Sequence, residues 1–254
     1  MYQSTTSLYK TLEETVELSD AHCHLNLFPN PKEALSESAK HGMKIILATG
    51  GSAKDNLEIA SLSHGEIVFG IVGVGPDAAR KDFNAIEELP KLVKANGKII
   101  GIGEIGLDFK ITSDEKEISI QKEAFERQIE IAKGLGIPIV IHARGALREV
   151  MKILDEHSVK RAMFHFFEGD ANDARELESR NYLMSVPPVE NRNRKEAIKA
   201  IDVKNIVVET DSPVVGKTPL DVEKSLEMIS RIKGISTSEL GQLTTENLRG
   251  FFYI

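Results

Sequence analysis

The stretch 18–26, LSDAHCHLN, places Asp20, His22 and His24 at every second position. In an extended strand, residues two apart share a face. Two imidazoles therefore stand side by side, with Cys23 on the opposite face. Such a pair can grip one metal ion: neutral imidazole suits zinc, iron and related metals, and carboxylates suit harder ions as well. Further donors recur where other short apolar runs end. They are Glu104 in IIGIGEIGLDF, His142 in IPIVIHAR, His165 in AMFHFFEG and Asp211 in IVVETDSP. The six donors exceed the needs of one catalytic zinc, which takes about three protein ligands plus water. Two ions roughly 3.5–4 Å apart, sharing a carboxylate, would use them all. Taken singly, each donor has a structural reading. A strand histidine is satisfied by one hydrogen bond, Glu104 by a buried cation, and Asp211 by capping a turn. Their recurrence at the ends of five strands favours a metal centre. The remaining three of the seven histidines, His41, His64 and His157, fall at helix ends and are set aside.

The elements that must position these donors follow from hydrophobic periodicity. Strands are predicted at 16–23, 43–49, 67–74, 99–104, 137–142, 162–166, 182–186 and 205–210. Helices are predicted at 31–41, 55–63, 83–96, 115–135, 147–156, 173–180, 194–200 and 221–233, with a last helix near 237–252. Gly42, Gly97 and Gly136 each end a helical run before a strand. Eight strands rich in Ile and Val, alternating with helices, imply a parallel sheet buried on both faces. With 254 residues, the expected fold is an α/β TIM-like (β/α)8 barrel with an extra C-terminal helix, an open doubly wound sheet being second. All donors would then converge on the C-terminal mouth, where such barrels keep their active sites. Residues 1–254 read as one barrel domain, with 1–17 a candidate N-terminal extension. The run Gly101-Ile-Gly-Glu-Ile-Gly106 has the dinucleotide spacing, but no helix opens directly behind it, so it carries little weight.

A net charge of −7 argues against a broad basic footprint for nucleic acid, while a local patch or bound metal can still hold phosphates. The single cysteine permits no intrachain disulfide and suits a reducing, cytoplasmic setting. The first eighteen residues lack the apolar core of a signal peptide, and no apolar run is long enough to span a membrane.

The blocks SDAHCHL, IGEIGLDF, IHAR, HFFEG and ETDSP, in this order and spacing, resemble the TatD family of metal-dependent hydrolases in the amidohydrolase superfamily. The resemblance extends from about Leu18 to the C-terminus and takes in Gln121 to Gln128 and Thr245-Glu-Asn247. It implies a deoxyribonuclease, a 3′-to-5′ exonuclease on single-stranded or frayed DNA ends, using two divalent ions (magnesium, manganese or zinc). It further implies that His22, His24, Glu104 and Asp211 hold one ion and Glu104, His142 and His165 the other. Superfamily members bridged by a carboxylated lysine differ, because here the fourth strand offers Glu104. One departure stands out: relatives with a G-x-H-P pattern carry a histidine where this chain reads Gly73-Val-Gly75-Pro76.

On this reading a metal-activated hydroxide attacks phosphorus, Glu104 bridges, and Asp211 orients the water and passes a proton to the leaving oxygen. Asp20 supports a ligand imidazole or packs beneath the metals. Arg144, two residues past His142, is the leading phosphate grip, with Asp108 or Glu168 as competing partners. Arg192, Arg194 and Lys195 open a helix where positive charge opposes the dipole, a weak sign of phosphate binding, and Lys217 follows the eighth strand. Phe109, Phe166 and Phe167 lie beside the donors and can stack a base, Phe167 being the one expected in the core. Two other readings compete: the same metals hydrolysing an ester or amide such as a misacylated tRNA, and a non-catalytic scaffold barrel.

Overall fold

The computed structural model describes residues 16–254, so nearly all of the candidate extension lies outside the described residues. The chain alternates strand and helix throughout: β1 Leu18–Cys23, α1 Pro31–Lys40, β2 Met43–Thr49, α2 Ala53–Leu62, β3 Val68–Val72, α3 Ala79–Asp82, α4 Leu89–Ala95, β4 Ile99–Asp108, α5 Glu115–Leu135 and β5 Ile139–Arg144. The second half continues with α6 Leu147–Glu156, β6 Ala162–Phe164, α7 Ala171–Ser179, β7 Leu183–Val186, α8 Arg192–Ala200, β8 Ile206–Val208, α9 Val222–Lys233 and α10 Thr237–Phe252. Side-chain caps fix where helices start. Ser52, Asp114, Asn191 and Ser236 each accept from a first-turn amide, and Asp170 with Asp173 forms a capping box. The helix expected over 83–96 is instead a 3-10 segment, Phe83–Glu88, followed by α4. Pro90, near the start of α4, lacks an amide and clashes with the carbonyl four residues back.

The eight strands pair in parallel in chain order, forming a TIM-like (β/α)8 barrel. The seam between β8 and β1 is stitched just beyond β8. The Asp211 amide donates to His22 O (2.9 Å), the His24 amide donates to Ser212 O (2.8 Å), and Cys23 bridges Ser212. Asp20 locks the same seam, accepting from the Thr210 amide at 2.9 Å and the Thr210 hydroxyl at 2.5 Å.

Two apolar layers result. The larger lies between sheet and helices. The smaller comprises Ala21, Ile45, Leu47, Ile71, Val140, Met163, Leu183 and Val207, together with Leu248 and Phe252 of α10. Its fully buried strand residues come from every strand but β4, which adds the part-buried Ile100 and otherwise supplies glycines. A Cβ on Gly103 would come within 2.6 Å of Val140 Cβ, and one on Gly101 within 2.8 Å of Ile71 Cδ1. The glycines of the 101–106 run thus serve close packing in the barrel. No helix among the described residues is long and apolar enough to cross a membrane.

Candidate metal centre

His22 is fully buried near the end of β1, and His24 follows that strand. The β1–β2 ladder shifts register between Asp20 and Cys23. The two imidazoles nonetheless meet, with their Nε2 atoms 3.4 Å apart. Asp211, in the loop after β8, brings Oδ1 to 3.2 Å from His24 Nε2 and 3.8 Å from His22 Nε2. Glu104 sits within β4, which runs on to Asp108, beyond the predicted end at 104. A register shift between Ile102 and Ile105 marks a bulge there, a device that re-aims side chains at barrel rims. The two Glu104 oxygens face different partners. Oε2 lies 3.5 Å from His22 Nε2 and 4.0 Å from His24 Nε2, whereas Oε1 lies 2.5 Å from His142 Nδ1 and 3.7 Å from His165 Nε2. All six donors read from the sequence therefore converge.

The donor set fits divalent cations. Two imidazole nitrogens at 3.4 Å, with two carboxylates beside them, crowd lone pairs that a cation between them would share. The groups His22, His24, Asp211 and Glu104, His142, His165 each place ligand atoms within 4.8 Å of one another. Buried neighbours set the tautomers. His24 Nδ1 is 3.1 Å from Thr49 O, which must accept its proton, leaving Nε2 free to ligate. His165 Nδ1 lies 2.9 Å from Glu209 Oε2, which leaves its Nε2 facing Glu104. His142 Nε2 is 3.0 Å from Asp108 Oδ2. Asp108 also accepts from the Lys110 amide and the Arg144 Nε. Carboxylates that orient ligand imidazoles in this way are a general feature of metal sites.

Electrostatics separate the groups. Burial would raise the Glu104 carboxyl, but the charge of His165 and hydrogen bonds from His142 and His22 hold it well below the usual range. Burial likewise opposes charging of His142, yet Asp108 and Glu104 lift it to about 9. The charges of Glu209 and Glu104 overcome burial to lift His165 to about 10. His22 goes the other way: burial, then the neighbouring His165 charge, push it down and favour the neutral imidazole. The His22 and His165 rings stack at 3.6 Å.

A cavity of about 770 Å³ opens beside the donors, lined in part by His142, His165, Asp211, Arg144, Phe109 and Phe166. Arg144 is 46% exposed on its side chain while pairing with Asp108 at 3.0 Å, so it both braces His142 and faces the cavity. Arg194 does not reach the mouth. It is 2% exposed, and its guanidinium donates to Val189 O and Phe167 O, because α8 folds it under the loops after β6 and β7. Arg192 and Lys217 are exposed but do not line the cavity, and Lys195 pairs with Glu190. Lys110, which the sequence reading passed over, lines it and has no ion pair among the described residues. Asp20 contacts no imidazole: besides Thr210, it accepts from the His22 backbone amide at 3.2 Å. Phe167 is buried, as expected for a core ring.

Gly75 donates its amide to Gly51 O (2.8 Å), and a Cβ there would sit 3.7 Å from Glu104 O. The nearest atom to that Cβ would be Asp77 Oδ1 at 3.0 Å, so a side chain at this position would crowd the Asp77 carboxylate. Glu209, also absent from the sequence reading, is fully buried and binds both His165 and the Phe166 amide. An acid following the apolar run IVV was its one signal. Phe166 and Asp211 adopt left-handed backbone conformations, with φ of 47° and 50°. Such conformations cost non-glycine residues about 1–3 kcal/mol and cluster at functional sites.

A family model described as TatD related DNase matches residues 19–253. The human protein "Deoxyribonuclease TATDN3" is 29% identical, over 93% of this chain and 95% of that one. The Bacillus subtilis protein "Uncharacterized metal-dependent hydrolase YabD" is 31% identical, over 93% of this chain and 99% of its own length. Among solved structures, the TatD homologue YJJV of Escherichia coli superposes with a TM-score of 0.84 at 20% identity, covering 93% of this chain and 98% of that one.

Proposed function

The chain belongs to the TatD-related DNase family, and from that premise we propose that it removes nucleotides from the 3′ ends of single-stranded or frayed DNA at a two-metal centre. It is a metal-dependent hydrolase of ester bonds, and family membership makes the phosphodiester of DNA the bond in question. The observation that carries the two-metal reading is the division of Glu104: one oxygen faces His22 and His24, the other His142 and His165. His22, His24, Glu104 and Asp211 would hold one ion, and Glu104, His142 and His165 the other. Magnesium, manganese and zinc all accept such a mixed N/O set.

Bound divalent ions supply charge neutralisation at phosphate oxygens and acidify water. The chain's own groups do the rest. Asp211 lies 3.2 Å from His24 Nε2 and lines the cavity, where its carboxylate can take a proton and return it to the leaving oxygen. Arg144 grips a phosphate oxygen while its Nε stays on Asp108, and Lys110 adds charge at the same wall. Asp108, Glu209 and Thr49 O hold three imidazoles in ligating tautomers. A cytoplasmic setting for one hydrolase domain belongs to the same proposal.

A panel of single-stranded DNA, blunt duplex, a phosphodiester model compound and an aminoacyl ester, each with manganese, magnesium or zinc, tests it. Stepwise release of mononucleotides from the 3′ end of single strands is expected. Cleavage of the aminoacyl ester alone would move the assignment to the ester and amide alternative.

Protons and ions compete for this centre. Without ions, His142 and His165 keep their protons at pH 7, since they titrate near 9 and 10. Loading must expel these two protons and any held by His24, which Asp211 and Glu104 also push up against its burial, so apparent metal affinity should rise with pH, by ~100-fold per unit for two protons. Calorimetric titration in buffers of different ionisation enthalpy reads this release directly, and no release at pH 7 would contradict it. Stability follows the opposite course in the ion-free protein. Both folded-state values lie above the unfolded value of about 6.5. Their contribution is therefore complete below that pH and is lost as pH rises through 9 to 10. The melting temperature in chelator should fall over this window.

A further inference from the structure

Phe166 is held more firmly than a packing residue requires. Its φ of 47° is one that bulky side chains avoid. Its amide donates to Glu209 Oε1 at 2.7 Å, while the other oxygen of that buried carboxylate takes His165 Nδ1. The Arg194 guanidinium lies 5.1 Å from the ring centroid and is itself buried, donating to Phe167 O and Val189 O. Among the described residues no carboxylate lies within ion-pair distance of this desolvated cation, a costly way to support a ring that only fills space. The ring also abuts the His165 imidazole, centroid to centroid 5.8 Å, yet remains part-exposed in the cavity. Val214 and Val215, 63% and 38% exposed, add apolar surface to the same cavity.

We propose that Phe166 is a stacking platform for the terminal nucleobase, so that the site selects an unpaired base next to the phosphate it cleaves. This rests on the phosphodiesterase reading above and states how that site holds the nucleoside. His165 belongs to the donor cluster and Phe166 is the next residue, so phosphate and base would be separated by about one sugar. Glu209, bonded to both, sets imidazole and platform as a unit. Arg194 acts here as a positioning residue behind the ring. Every base offers a π face, so selection falls on strandedness rather than sequence. A base paired and stacked in a duplex cannot reach the ring until the end frays.

The test compares two single-stranded oligonucleotides, identical except that the 3′-terminal nucleotide either bears its base or is abasic. Wild type, F166A, F166L and F166Y are assayed, with circular dichroism confirming folding. Wild type should favour the base-bearing strand in kcat/KM by roughly 5- to 150-fold, the range for one aromatic–base stack, mainly through KM. F166A and F166L should collapse that ratio toward one, and F166Y should keep it. A wild-type ratio near one, or an undiminished ratio in folded F166A, overturns the platform. If wild type cleaves neither strand but hydrolyses an aminoacyl ester, the phosphodiesterase reading has failed and the platform falls with it.

Discussion

Glu104→Ala is expected to bind at most one divalent ion per chain where the wild type binds about two, and to lose a hundred- to a thousand-fold or more in kcat, the scale of removing a preorganised electrostatic group. Glu104 is the carboxylate whose two oxygens face the two donor groups, His22 and His24 through Oε2, His142 and His165 through Oε1. Alanine leaves His142 with Asp108 and His165 with Glu209, so those imidazoles stay oriented while the acid they share disappears. The fold should survive, because the backbone bond from the Glu104 amide to Gly50 O (3.1 Å) does not involve the side chain. Glu104→Gln keeps the volume and removes the charge. It should resemble the alanine variant in metal content if charge, rather than shape, holds the ions. Metal analysis after dialysis against manganese or zinc, paired with activity at saturating metal, checks both. Two ions retained in folded Glu104→Ala would show that the carboxylate does not bridge.

How much of this site the sequence disclosed depends on how far apart its parts lie in the chain. Periodicity and caps are local signals, and α5, α6, α10 and β2 begin and end where those signals place them. The overrun of β4 to Asp108 was not legible, because it depends on pairing with Arg144 across the neighbouring strand. Pro90 was in plain view, and its effect on the expected helix over 83–96 was outweighed by apolar spacing. The six donors were legible since each follows an apolar run. Glu209 follows one as well, but its meaning comes from His165, 44 residues earlier. Arg194 was misread for a related reason. Basic residues at a helix start suggest a phosphate grip, and nothing local shows that Phe167, 27 residues upstream, turns a carbonyl toward the guanidinium. Asp20 shared the spacing of His22 and His24, yet the register shift in β1 sends its carboxylate to Thr210, across the seam.

Asp211→Asn should fold as well as wild type and turn over 10²- to 10⁴-fold more slowly, the usual contribution of a positioned proton acceptor. Asparagine is among the residues most at home at the φ of 50° found here. The backbone bonds at this position, to His22 O and from the Val215 amide, are indifferent to the change. What goes is negative charge and basicity. Burial would raise the Asp211 carboxyl, but a hydrogen bond from His24 and the charge of His165 hold it below its ordinary value, so it stands ionised at neutral pH. The same carboxylate lies 3.2 Å from His24 Nε2, so the variant also weakens one set of metal donors, and the two effects must be separated. Saturating manganese does so. If Asp211 only holds an ion, excess metal restores turnover and the pH profile keeps its shape. If it moves the proton, the slow rate persists with the site loaded, KM for the oligonucleotide changes little, and the acidic limb of the kcat profile disappears. Recovery of full turnover at saturating metal would leave the proton to another group, and Asp211 would remain a ligand alone.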